Sequence, residues 1–274
     1  MNRITARSIG TYNANEWLNE GDGLYSSACT LRATWHIKKR NFSRYTKRLL
    51  MPSPQWQQIT GMPRASMLLL GYAMEMYLKA GLVKAYAGCR EEMLKRDLQK
   101  RFSHDLASLA KEIDFPVAAH KSDFDKLSEA IRFDRYPIEP NIEVPYHAQL
   151  NERTQKMWGR TDFLRLRRLT RQVRKHALRI DSDERQPASH MHFQVDKDGY
   201  LALRFGGRLR PRITFRFSTE QQQAGKSSPD DMLQLFLRES PPFVAHYWES
   251  AYFLHDDDKK THVITMQKRL VTPS

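Results

Sequence analysis

Over residues 64–86 apolar side chains recur at helical spacing, and the stripe they form runs straight through a charged pair, Glu75 and Lys79, in the segment GYAMEMYLKA. On a helical wheel Leu68, Gly71, Tyr72, Leu82, Val83 and Tyr86 share one face with both charges. A solvated i,i+4 pair belongs on the polar side of a helix, where it contributes about a few tenths of a kcal/mol. Inside an apolar stripe the pair must be partly buried, and each charge then needs a partner and further hydrogen bonds to offset its desolvation. The segment therefore calls for a helical bundle that covers it, in which Glu75 and Lys79 either neutralise each other and fix helix packing or contact polar residues brought in from elsewhere. The apolar run over 67–83 is short for a bilayer span and is broken by the two charges, so no membrane partner is expected.

The helical period extends to both sides. Residues 14–50 read as helix, with Leu24, Ala28, Leu31 and Trp35 on one face, and MPSPQW at 51–56 breaks the pattern with two prolines. After a charged amphipathic stretch at 91–101, HDLASLAKEI groups Leu106, Leu109 and Ile113 behind Ser103 as a candidate N-cap. SDFDKLSEAIRF repeats the device behind Ser122 and closes at Tyr136 and Pro137, because the residue before a proline leaves the helical region. Residues 138–152 read as a connecting arm. A last long helix over 161–180 sets Leu166, Leu169, Val173, Ala177 and Ile180 on one face.

Beyond DSDERQP the period shortens to two. HFQVDKDGYLALRFGGRLRPRITFRF alternates around a DKDG turn, DDMLQLFL reads as a short helix, and THVITMQK reads as a strand. The fold class expected is mainly α, a helical bundle over 1–182 followed by a smaller α+β C-terminal region over 183–274 that contains a β-hairpin. Arg204, Arg208, Arg210, Arg212 and Arg216 interleave with Phe205, Phe215 and Phe217 there. Such a pattern can stack and hold single strands, but a half-buried sheet produces the same alternation and is the first explanation.

Lys and Arg number 45 against 31 Asp and Glu, a net charge of +14 that favours anionic partners such as nucleic acid through counterion release. Two cysteines, Cys29 and Cys89, exclude a disulfide framework and an all-cysteine metal site, and point to a reducing cytoplasmic setting. The first residues carry no apolar stretch of signal-peptide length. His190 and His192 alternate as on a strand and HDDDKK at 255–260 offers carboxylates, yet neither has a third ligand at metal-binding spacing. FGGR is too short for a phosphate-binding glycine loop, so no metal and no cofactor is expected.

Partners for Glu75 and Lys79 are available downstream. His104 and Asp105 occupy a helix start, and Arg132 and Arg135 sit in the RFDRYP segment, where either guanidinium could form a bidentate pair with Glu75 or Asp105. In order along the chain, GYAMEMYLKAGL, SHDLASLAKEI and RFDRYP resemble the HEPN superfamily, small helical bundles found in prokaryotic toxin–antitoxin and phage-defence proteins. The resemblance covers residues 15–180 and is carried by Glu75, Lys79, His104, Asp105, Tyr136 and Pro137. It implies a cytoplasmic homodimer that acts on RNA or other nucleic acid and meets a protein inhibitor or complex partner.

Many members of that superfamily are metal-independent ribonucleases, with an arginine and a histidine in an R-x(4 to 6)-H motif at a site between two protomers. The chemistry implied is attack of an RNA 2′-hydroxyl on the adjacent phosphate, with the histidine moving protons and the arginine stabilising the phosphorane. Arg171 and His176, in RQVRKH, match by spacing on the last long helix. Arg185 and His190 match as well, but Pro187 argues against a helix there. Over 160–179 eight basic residues face one acid, Asp162, and Arg165, Arg168, Arg174, Lys175 and Arg179 are the candidate phosphate-binding side chains. A second reading, from a different class, is a non-catalytic nucleic-acid-binding or complex-forming subunit in which the cluster of Glu75, Lys79, His104, Asp105, Arg132, Arg135 and Tyr136 is structural or binds a ligand.

Overall fold

A computed structural model describes residues 2–45, 53–134, 159–239, 243–257 and 259–264, together with 136, 141, 143–146, 148–149, 152–153 and 157. It is mainly helical with a five-stranded sheet in the C-terminal third, as the change of period implies. Two compact units interleave along the chain: Ala14–Ala80 with His104–Ala177, and Met1–Asn13 with Gly81–Ser103 and Leu178–Ser274. Set against the boundary expected at residue 182, the last crossing falls at Leu178, and residues 1–13 and 81–103 belong with the strands.

The first unit holds most of the long helices: α1 (Ala14–Tyr45), α2 (Ser53–Ala85), α4 (Leu106–Glu112), α5 (Lys121–Arg132) and α6 (Arg160–Arg179), with α2 and α6 running past its limits. Between α2 and α4 the chain forms α3 (Glu91–Arg96) in the other unit. The structure begins α2 at Ser53, earlier than residue 64, since Pro54 in a first turn needs no hydrogen-bond partner for its nitrogen. The helix also runs through Pro63. A proline there cannot donate to the carbonyl four residues back, and that carbonyl, Ile59 O, instead accepts the indole N–H of buried Trp35 at 2.9 Å. Helices α1 and α2 approach closely where Gly21 meets Tyr77, and α2 meets α5 at Gly71 and Ile131. A Cβ on either glycine would lie 2.6 Å and 2.8 Å from those side chains.

Two expected caps differ. Asp105, not Ser103, caps α4 by accepting from Ser108 N at 3.0 Å, and α5 starts at Lys121, so Ser122 falls inside its first turn. Helix α6 buries Phe163, Leu166, Leu169, Val173 and Ala177, the expected face.

In the second unit β1 (Ser189–Val195) and β2 (Gly199–Phe205) form the expected hairpin, closing at Val195 opposite Gly199 with Asp196 at φ 54. Strand β3 (Arg212–Arg216) pairs antiparallel with β2 and parallel with β4 (Tyr252–Asp256), and β5 (Thr261–Ile264) closes the far edge. The parallel step needs a crossover, which α7 (Thr219–Gln223), α8 (Pro229–Glu239) and α9 (Phe243–Trp248) supply. On one sheet face Leu201, Leu203, Ile213, Phe215 and Phe253 pack with Met232, Val244 and Trp248. The other face is buried too, and it carries Tyr200, Arg204, Arg212, Arg216 and Asp256. The alternation of arginine and phenylalanine thus marks a sheet covered on both sides rather than half-buried. Arg204 makes this possible by donating to Asp181 at 3.0 Å and to the carbonyls of Lys84, Ile180 and Gly206.

Acid should loosen this unit. Burial first, and then the nearby Arg3 and His190, lower the pKa of His192 to about 4, while burial and His262 lower that of His255. An unfolded chain takes up these protons near pH 6.5 and the folded one resists, so stability is full above that value and falls as pH drops toward 4. Thermal unfolding should show a midpoint that decreases from pH 7 to pH 5, and His192→Gln should flatten the decrease. A midpoint constant across that window would contradict the burial of these rings as neutral groups.

Candidate functional site

Glu75 is 1% exposed, and its carboxylate meets Lys79 Nζ at 2.6 Å and His104 Nδ1 at 3.1 Å. Lys79 also lies over the ring of Trp17, 5.1 Å from its centroid. Helix α2 thus supplies the ion pair, α1 the aromatic cover, and the turn before α4 the histidine. The remaining candidates are not drawn in. Asp105 is occupied by the backbone and hydroxyl of Ser108, Arg132 is exposed, and Arg135 lies outside the described residues. Tyr136 is exposed, and its carbonyl accepts from Arg64 at 3.0 Å and Arg153 at 2.9 Å. Among the described residues, no hydrogen bond or ion pair joins Asp105, Arg132 or Tyr136 to Glu75. The long side chains of Arg64 and Arg153 take the end of α5 instead, by way of the carbonyl and carboxylate of Asp134.

Along α6 the basic residues divide into tied and untied. Arg165 pairs with Asp123 at 2.9 Å and Asp162 at 3.2 Å. Arg174 forks onto Asp22 of α1 at 2.6 and 2.7 Å, and Tyr77 donates to the same carboxylate at 2.7 Å. These hydrogen bonds, the one from Arg174 above all, hold the Asp22 carboxyl below the usual range, while burial and then Asp22 push the Tyr77 phenol up. Arg165 and Arg174 therefore fasten helices together. Arg168, Arg171 and Lys175 are exposed and have no carboxylate partner among the described residues. They lie within about 60° of one another around the helix axis. Arg179 is exposed as well, beyond the crossing at Leu178.

Arg171 and His176 lie five residues apart, about 140° around α6. His176 Nε2 donates to the carbonyl of Ile113 at 2.7 Å, and its ring packs edge-on against Phe115 with centroids 5.3 Å apart. The imidazole thus holds the turn after α4, while Arg171 faces outward. Arg185 is exposed and His190 opens β1.

Sequence reasoning did not single out a cleft between α1 and α6, lined by Cys29, Arg32, His36, Arg40, Arg160, Phe163 and Arg167, with a volume of about 230 Å3. A signal was present, since Arg32, His36 and Arg40 recur every fourth residue along LRATWHIKKR. Also missed was the polar face of the sheet, where fully buried Asp256 accepts from Arg90 at 2.7 Å, Arg96 at 2.8 Å and Tyr200 at 2.8 Å. Asp97 beside it accepts from Tyr86 and Thr261, each at 2.7 Å. Burial pushes the Tyr200 phenol well up, with Asp256 adding to it.

Among the described residues no group of three or more His, Cys, Asp or Glu could hold a metal ion, and no helix is long and apolar enough to cross a membrane. No protein-family model, curated protein or solved structure matches this chain. Its own geometry therefore carries the functional reading.

Proposed function

We propose that the helical unit is a non-catalytic nucleic-acid-binding module that grips the phosphate backbone with the outer face of α6. The observation that carries this reading is the stripe of Arg168, Arg171 and Lys175, exposed cations on a 20-residue helix with no carboxylate to neutralise them among the described residues. The stripe spans about 10 Å of helix axis, a length over which one strand of a duplex presents about three phosphates. Arginine forks match phosphate oxygens, and the net charge of +14 supplies the long-range attraction. The same proposal takes the unit as HEPN-like. Lys79 and His104, two positions of the resembling set, meet at the buried carboxylate of a third, Glu75.

Binding is favoured over cleavage because His176 spends Nε2 on Ile113 O and sits well around the helix from Arg171, so within one chain the two do not converge on a phosphate. The test is to incubate the full chain with labelled single-stranded RNA in EDTA. A retained complex with intact RNA is expected. Cleavage that His176→Ala abolishes would overturn the non-catalytic reading, and the absence of both binding and cleavage would overturn the nucleic-acid reading itself.

A further inference from the structure

Arg32 is an anomaly in the core of the helical unit. It is 3% exposed and, among the described residues, no carboxylate pairs with it. Two of its nitrogens donate to the carbonyls of Met157 at 2.8 Å and Gly159 at 2.9 Å, and its guanidinium lies between the rings of Trp35 and Phe163, 4.8 and 4.7 Å from their centroids. Its Nε is buried without a hydrogen-bond partner. Backbone dipoles and ring faces orient a cation but do not neutralise it, and a buried charge is retained only at considerable cost unless an anion answers it.

The surroundings add charge of the same sign. Arg32 lines the cleft between α1 and α6 together with His36, Arg40, Arg160 and Arg167, and no carboxylate is among the lining residues. Burial first, and then Arg32, Arg160, Lys39 and Arg40, lower the pKa of His36, so four cations from two helices oppose its protonation. Four arginines around one small cavity repel one another, and the arrangement has a purpose if an anion enters.

We propose that this cleft is a phosphate-binding subsite, in which Arg32 is the buried floor cation and Arg40, Arg160 and Arg167 close around one phosphoryl group. Fork-shaped donors that cannot lose their charge suit phosphate oxygens better than a spherical anion. The volume of about 230 Å3 is smaller than the roughly 300 Å3 at which sites for drug-sized ligands begin, and suits a phosphoryl group rather than a large ligand. The phosphate can belong to a strand lying along α6 or to a free nucleotide. Only the first source rests on the function proposed above.

The experiment follows the His36 ring by NMR in the full chain while inorganic phosphate, a nucleoside 5′-monophosphate and a short single-stranded oligonucleotide are titrated in turn, against sodium chloride at matched ionic strength. An anion among the arginines offsets their field, so phosphate should move the midpoint of His36 titration upward and chloride should not. Arg40→Gln with Arg167→Gln, both at the more accessible rim, should weaken phosphate binding at least about tenfold, as expected for loss of charge-assisted contacts. That pair of variants keeps the test independent of Arg32, whose replacement risks the fold. A His36 response to phosphate and nucleotide without oligonucleotide binding supports the subsite and overturns the strand reading. Oligonucleotide binding with no His36 response overturns the subsite and leaves the α6 reading standing. No response to any phosphate compound overturns the subsite.

Discussion

Asp256→Ala should destabilise the sheet-containing unit by about 3–5 kcal/mol, the range for removing one partner from a buried ion pair. The carboxylate is fully buried and holds three donors, Arg90, Arg96 and Tyr200. Its loss leaves two guanidinium groups with side chains only 7% and 11% exposed and a buried phenol in a space that water cannot readily enter. Tyr200→Phe is the calibrating variant, because it removes one neutral donor and should cost only about 1 kcal/mol. Urea denaturation followed at the single tryptophan of that unit, Trp248, measures both. If Asp256→Ala costs no more than Tyr200→Phe, the remaining partners of the arginines, such as Asp257 O and Thr261 Oγ1 for Arg96, suffice and Asp256 is not the centre of the network.

Glu75→Ala should be the most damaging single change in the helical unit, at about 2–4 kcal/mol. It strands Lys79, whose side chain is 15% exposed and partly held over Trp17, so some relief by reorientation toward solvent places the expected loss below that of Asp256. Removing both charges should be milder. Glu75→Leu with Lys79→Met fills the same stripe with apolar atoms and leaves no unpaired charge, so it should recover most of the loss. Nucleic-acid affinity should be unchanged in that double variant. If the double variant is as unstable as Glu75→Ala, the pair is not compensating its own burial. If it folds and loses nucleic-acid binding, the cluster is part of the site.

The contrast between these two networks shows what can be read along a chain and what cannot. Glu75 and Lys79 are four residues apart, so their placement in an apolar stripe is visible at once, and α6 and the β1–β2 hairpin announce themselves by period in the same way. Asp256 meets Arg90 and Arg96 across more than 150 residues, and YFLHD in β4 is too short for its alternation to be read from the sequence. Pro63 marks a break only if no distant donor takes the carbonyl it frees, and Trp35 does. The candidate site follows the same rule. That α6 is basic is plain from composition, but which arginines are free depends on Asp22 and Asp123 in other helices. The uncompensated burial of Arg32 depends on Met157, Gly159 and Phe163, none of them adjacent to it in sequence.

The central claim is that free cations on α6 meet phosphates, and its most direct test is the salt dependence of binding. The affinity of the full chain for a single-stranded oligonucleotide is measured by fluorescence anisotropy across a range of salt, beside Arg168→Gln/Arg171→Gln/Lys175→Gln. Each phosphate contact contributes about 0.7 to the slope of log affinity against log salt, so the triple variant should bind more weakly with a slope shallower by about 2. A triple variant with the slope and affinity of the parent chain, or a parent whose binding does not respond to salt, would contradict it.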